Sequence, residues 1–333
     1  MNKGLKITLI TLCVLIGFIL FLLVGIKVGE KIVFLDFYSN ANIEFKMPGA
    51  NDNLVQQGMV YNEDEDVFLI AGYMSDNSAS RVYVVSKDGE VLHKVALKNA
   101  DGSDYTGHTG GIKFYGNYVY ITEGTGEKGY DGGLDVFPLD KILAGEESVT
   151  TLGRVKTYNN PAYCYIYNGY MMVGEFYHEE AYETADGHRF TTPAGDKNNA
   201  LIMVFDIDGT TENFGISKEP VAIISTTGDV QGMEIIDNEQ FVLSSSWSIS
   251  KSKLRFYDLN KITKGENTSL YGLSLPTYHI DSSALVKTVD APPMSEEVVY
   301  LDGKLYVLNE SACNKYIFGK LMSGNELYSY NVK

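Results

Sequence analysis

One phrase, written five times, constrains this chain more than anything else in it. It is clearest in residues 229–259, DVQGMEIIDNEQFVLSSSWSISKSKLRFYDL. A small-residue opening, Gln231-Gly232-Met233, leads into a short apolar run and an Asp237-Asn238 turn. A second run ends in serines, and after a loop comes a third. Short β-branched and aromatic runs broken by Asp, Asn and Gly are how antiparallel strands read in sequence.

The other openings are Gln57-Gly58-Met59, Gly110-Gly111-Ile112, Tyr163-Cys164-Tyr165 and Glu296-Glu297-Val298. Each is followed by a polar turn and a second strand: VFLIAGY, YVYITEG, MMVGEFY, FVLSSSW and LYVLNES. Third strands read RVYVVS, LDVFPL, LIMVFDI, LRFYDL and ELYSYNV; fourth strands are legible in the first four copies. Four antiparallel strands at a period of roughly 40 to 70 residues are the pattern of propeller blades. The fifth copy has three strands, and an open ring would leave a sheet edge unpaired. A spare strand-like segment precedes the first copy, either IVFLDFY from Ile32 or ANIEFKM from Ala41. The expectation is an all-β, five-bladed β-propeller of four-stranded antiparallel blades, its ring closed by an N-terminal strand.

Residues 7–26 are uncharged and mostly apolar, bounded by Lys6 and Lys27. About 20 such residues cross a bilayer as helix. A secretory signal has a shorter apolar stretch and a small-residue cleavage site, and neither description fits here. The division expected is a tail at 1–6, a transmembrane anchor at 7–26, a linker with the ring-closing strand at 27–52 and the propeller at 53–333. The lysines flanking the span give little directional bias. The short tail is read as cytoplasmic and the large domain as extracytoplasmic. The whole chain carries a net charge of −16. Such a surface repels polyanions, so neither nucleic acid nor an anionic lipid surface is an expected partner. Cys13 lies in the span, while Cys164 and Cys313 fall in different blades and are expected to be free thiols.

In a blade the loop into the first strand and the loop out of the second open on the same face. The openings Gln57, His108, Tyr163, Gln231 and Glu296 are therefore expected to meet the exits Tyr73, Glu123, Glu175, Trp247 and Glu310 in one funnel. Carboxylates, amides and aromatic rings in such a mouth suit cations, sugars or polar amides; the same groups also serve simply to satisfy buried backbone. His108, set among the glycines of GHTGGI, is a candidate general base or metal ligand, with Glu296 or Glu310 as general acid–base partner. The longest insertion, residues 177–199, is read as a mobile charged lid carrying His178, Glu179, Glu180, His188 and Arg189. Two histidines among carboxylates admit a divalent metal, although the spacing is not H-E-x-x-H and no thiol accompanies them. No other cofactor is indicated.

Gln231-Gly232-Met233 with residues 244–247, and in part Gln57-Gly58-Met59, resembles the plant-type glutaminyl cyclase (glutamine cyclotransferase) family. The resemblance implies a five-bladed propeller and, for activity, cyclisation of N-terminal glutamine. Three functions follow for the chain: a surface-anchored module binding a glycan, peptide terminus or polar small molecule, an enzyme (a cyclotransferase or a Glu/His hydrolase), or an interaction scaffold. The same fold hosts all three.

Overall fold

Five four-stranded antiparallel blades succeed one another along the chain, and in the first four the strands run in sequence order from the axis outward. The computed structural model describes residues 3–124, 132–207, 209, 212–311, 313–316, 319 and 324–332. Blade one comprises Leu54–Asn62, Val67–Met74, Arg81–Ser86 and Val91–Lys98. Blade two comprises Ile112–Tyr115, Tyr118–Glu123, Gly133–Pro138 and Gly153–Lys156. Blade three is Pro161–Tyr167, Tyr170–Glu175, Ala200–Asp206 and Ala222–Thr226; blade four is Val230–Ile236, Gln240–Ser245, Ser252–Asp258 and Leu285–Ala291. Short parallel strands, Ser148–Thr150 on blade one and Thr277–His279 on blade three, cover two outer edges, which would otherwise offer unpaired backbone to a neighbour.

Blade five is made from both ends of the chain. Ser295–Leu301, Lys304–Asn309 and Glu326–Asn331 are joined on the outside by Ala41–Lys46, antiparallel to Glu326–Asn331. Of the two spare segments, the one beginning at Ala41 thus closes the ring. The other is helical: Leu35–Asn40 forms a short helix. Its aromatic residues explain why, since Phe34 and Phe37 lie three apart, on one face of a helix. Both are buried between blades four and five, with Phe37 stacked on Tyr330 at 5.8 Å.

Each gap between adjacent blades holds its own apolar layer. The layer between blades five and one joins Phe45, Val299 and Leu327 to Leu54, Phe68 and Tyr83, so the ring is shut by packing as well as by hydrogen bonds. Near the axis the inner strands approach so closely that side chains are excluded. A Cβ on Gly58 would lie 2.3 Å from the Gly110 carbonyl oxygen, and one on Gly111 would lie 2.6 Å from the Cys164 nitrogen. The recurring glycine in the openings is the sequence trace of that approach.

Every opening but that of blade two shows a register shift in its ladder, skipping Gln57, Ala162, Gln231 or the pair Glu296-Glu297. Such bulges re-aim a side chain out of the ladder. Blade three therefore corrects the sequence alignment by one residue: Ala162 occupies the place of Gln57 and Gln231, and Tyr163 that of Gly58. A slip of one residue reverses the face. Tyr163 accordingly points into the packing between blades three and four, fully buried.

Ahead of the ring, one helix, Lys3–Val33, runs unbroken through the apolar stretch. Its Gly4–Val33 portion is long and apolar enough to cross a membrane, and no part of its most apolar window is buried against the protein. Cys164 and Cys313 are buried and free.

Candidate functional site

The bulged openings of blades one, four and five deliver a linked set of polar groups to one end of the axis. Gln57 Nε2 donates to Glu310 Oε2 at 2.7 Å, bridging blades one and five. Gln231 Nε2 reaches Glu296 Oε1 at 3.5 Å, bridging four and five. Glu296 is 3% exposed. Burial, then repulsion from Glu310 and from Glu297, raises its pKa well above the carboxylate range. Glu310 is pushed up to about 7, mainly by burial, against the pull of the Gln57 amide, the Lys315 charge and the Tyr316 hydroxyl. Two close carboxyls in low dielectric cannot both ionise cheaply. The pair therefore resists double ionisation.

Beside the carboxyls stands an aromatic wall. Tyr73 stacks on His108 with ring centroids 4.6 Å apart. The Lys315 ammonium sits over Tyr73 at 4.7 Å and over Tyr316 at 5.3 Å, and donates to the Tyr73 hydroxyl. His108 is open to solvent within the mouth but closely surrounded by protein. That crowding, more than the Lys315 charge, holds its pKa down at about 4, so the imidazole is neutral at pH 7. No carboxylate hydrogen-bonds it among the described residues. Glu123 lies alongside, accepting from the Thr109 amide and the Tyr105 hydroxyl, both at 3.2 Å; burial raises its pKa. Gln57, Tyr73, His108, Gln231, Glu296 and Glu310, drawn from four blades, are thus brought together, with Glu123 at the side.

The remaining candidates lie in a second group on blades three and four. Glu175 is buried and accepts from the Leu201 amide at 2.9 Å, and His188 Nδ1 lies 2.9 Å from it. His188, 1% exposed, also contacts the Tyr271 hydroxyl through Nε2. The Tyr163 hydroxyl makes no hydrogen bond among the described residues. Its pKa is raised well above the phenol range by burial first, then by Glu175 and Glu297.

The insertion, read from sequence as a mobile lid, makes many contacts with the blades. His178 stacks on Trp247 at 3.8 Å and bonds Asp229 at 2.6 Å. Phe176 and Tyr182 pack on the same indole. Arg189 pairs with Glu183, donates to the Thr184 carbonyl at 2.7 Å and lies over the Tyr177 ring. Only Glu179 and Glu180 of the proposed lid residues are exposed. No group of three or more His, Cys, Asp or Glu side chains gathers as a metal site among the described residues.

Deeper in the ring lies an ionic group that sequence reasoning missed. Lys113 crosses from blade two to within 3.6 Å of Glu297, with side-chain exposures of 7% and 0%. Glu234 of blade four accepts from the Ile235 and Tyr300 amides. Burial raises both acids, Glu297 to about 7, while Lys113 pulls them back. Of this group only Glu297 carried a signal, as the charged middle residue of an opening where blades one, two and four have glycine.

No protein-family model matches the chain, and no curated protein matches it. Among solved structures it is similar to the PQQ-bound aldose sugar dehydrogenase of Streptomyces coelicolor, at 14% identity over 81% of this chain and 78% of that one, with a TM-score of 0.46. It is also similar to a glucose dehydrogenase, at 11% identity over 88% and 99% with a TM-score of 0.46. A third similarity is to the RS223 β-xylosidase, at 13% over 79% and 88% with a TM-score of 0.44. Likeness at this level says nothing of ligand or chemistry.

Proposed function

We propose that the chain is a membrane-anchored, extracytoplasmic propeller whose axial mouth binds a polar ligand: a glycan, a peptide terminus or a small molecule. The observation that carries this reading is the Glu296–Glu310 carboxyl pair, met by amides from the two neighbouring blades and flanked by the Tyr73–His108 stack. The group offers amide donors, a protonated carboxyl that donates and accepts, and flat aromatic surface. That is the chemistry that recognises hydroxyls and amides. The aromatic cluster around Trp247, held by the insertion, would form a fixed wall beside it. Thermal-shift titration of the full chain in detergent, against mono- and oligosaccharides and Gln-terminal peptides, tests the reading. A ligand that stabilises the native chain but not Glu310→Gln or Gln231→Ala supports it; stabilisation equal in all three counts against this mouth.

A second reading, an enzyme, is favoured by one observation: in the mouth that also holds the His108–Tyr73 stack, Glu310 is pushed up to about 7, the range in which general acid–base catalysis works best. In that reading Glu310 and Glu296 would exchange the proton, and His108 would position the substrate through a ring nitrogen. Cyclisation of Gln-terminal peptides or glycoside hydrolysis, abolished in Glu310→Gln with binding retained, would distinguish enzyme from binder.

A further inference from the structure

The end of the anchor helix is fixed to the propeller. Glu30 is 6% exposed and accepts from the Tyr38 hydroxyl at 2.9 Å, and Phe34 and Phe37 are buried against blades four and five. The junction is therefore packed on blades four and five through Phe34 and Phe37, which sets the height above the span of what it exposes. With residues 7–26 filling the hydrocarbon layer, residues 27–33 rise about 10 Å further. The interfacial layer on each side of a bilayer is about 5–8 Å deep. Lys27 and Lys31, one helical turn apart, thus stand at headgroup level.

Two cavities meet at these lysines. One, about 700 Å³, lies between the helix end and the outer edge of blade five, with Lys27, Lys31, Tyr38, Ser39 and Asn42 in its wall. The other, about 300 Å³, shares Lys27 and Lys31 and runs down the helix past Leu23, Val24 and Val28. The upper mixes polar and apolar lining around the two lysines, and the lower is apolar apart from them and runs toward the hydrocarbon. Around them Ile32, Leu35 and Ile43 are 67%, 65% and 57% exposed, an apolar collar that water would penalise and a bilayer surface would cover.

We propose that this junction is a binding site for one anionic phospholipid. Its phosphate lies between Lys27 and Lys31 with the Asn42 side chain in the same wall, and one acyl chain follows the Leu23–Val28 groove. The net charge of the whole chain opposes contact with anionic lipid, but the upper wall carries two lysines and, among its described residues, one acid, Glu326, which is engaged by the Tyr328 hydroxyl at 2.9 Å. Glu30, on the same helix, is turned to the Tyr38 hydroxyl.

The test reconstitutes the full chain in nanodiscs of phosphatidylcholine with a minor share of phosphatidylglycerol and reads retained lipid by native mass spectrometry. One phosphatidylglycerol should be retained in preference to phosphatidylcholine, by about fivefold for each lysine. Lys27→Gln and Lys31→Gln should each remove about that factor, whereas Lys251→Gln, far along the chain, should change nothing. No preference in the native chain, or an equal preference in Lys27→Gln/Lys31→Gln, would overturn the proposal. If the double variant fails to insert, the native chain decides alone. There, displacement by soluble glycerol phosphate as effective as by intact lipid would contradict the acyl groove.

Discussion

Gln57 of blade one and Glu310 of blade five, 253 positions apart, share a 2.7 Å hydrogen bond at the mouth of the ring. The bond exists because a bulge turns Gln57 out of its ladder and because the ring brings the first blade against the last. It favours the ionised form of Glu310. Gln57→Ala should therefore raise the Glu310 pKa above about 7, read from the pH titration of the Glu310 side-chain carbonyl by carbon NMR. A fall, or no change, would mean that the amide does not face the ionising oxygen.

Stability should fall as pH rises through neutrality. Glu297 and Glu310 have an ordinary pKa of 4.5 and are raised to about 7 in the fold. The folded chain therefore binds more protons than the unfolded one between those values. By linkage its stability falls as pH rises from about 4.5 to about 7 and is then level in these groups. His108 acts oppositely, its folded value of about 4 lying below the ordinary 6.5, so it opposes the carboxyls below about pH 6.5. Above that value the carboxyls act alone. The thermal midpoint should be several degrees lower at pH 8 than at pH 6.5, and Glu310→Gln should shrink the difference.

Breaking the buried pair should be costly in a pH-dependent way. Lys113→Met leaves Glu297 in the core without its cation, a loss of about 3–5 kcal/mol for a charged partner. Protonation of Glu297 relieves part of it, so the cost should be smaller at pH 6 than at pH 8. Urea unfolding at the two values measures this. A cost independent of pH would show that Glu297 keeps its charge by other means.

Close approach at the axis gives a sharper contrast. Gly58→Ala puts a methyl 2.3 Å from the Gly110 carbonyl oxygen, with backbone that cannot yield, whereas the nearest atom to a methyl at Gly187 is the flexible Leu270 Cδ2 at 3.2 Å. The first change should cost about 3 kcal/mol or more and the second under about 1 kcal/mol, by thermal or urea denaturation. Similar costs would mean that the inner strands are further apart than described.

The ring was legible because its local chemistry repeats. Polar turns and apolar runs recur in each blade, opening glycines in three of the five, and ANIEFKM reads as a strand whether or not its partner is known. IVFLDFY reads equally well as a strand; only the burial of Phe34 and Phe37 on one helical face separates the two. Tyr163 was misplaced because a bulge adds a residue without leaving a mark in the sequence, and Ala162 has nothing to advertise it. Lys113 looked like an ordinary strand lysine, since its partner lies 184 positions on and only the ring brings them together. The insertion looked loose because its anchors, Trp247, Asp229 and Tyr271, all come later in the chain.

The most direct measurement is a crystal structure of the chain soaked with whichever glycan or peptide stabilises it. The account predicts density at the axial mouth, with polar atoms of the ligand within hydrogen-bond distance of Glu310 or Gln231 and a flat face against Tyr73. Density on the outer rim instead, with the Glu296–Glu310 pair untouched, would contradict it.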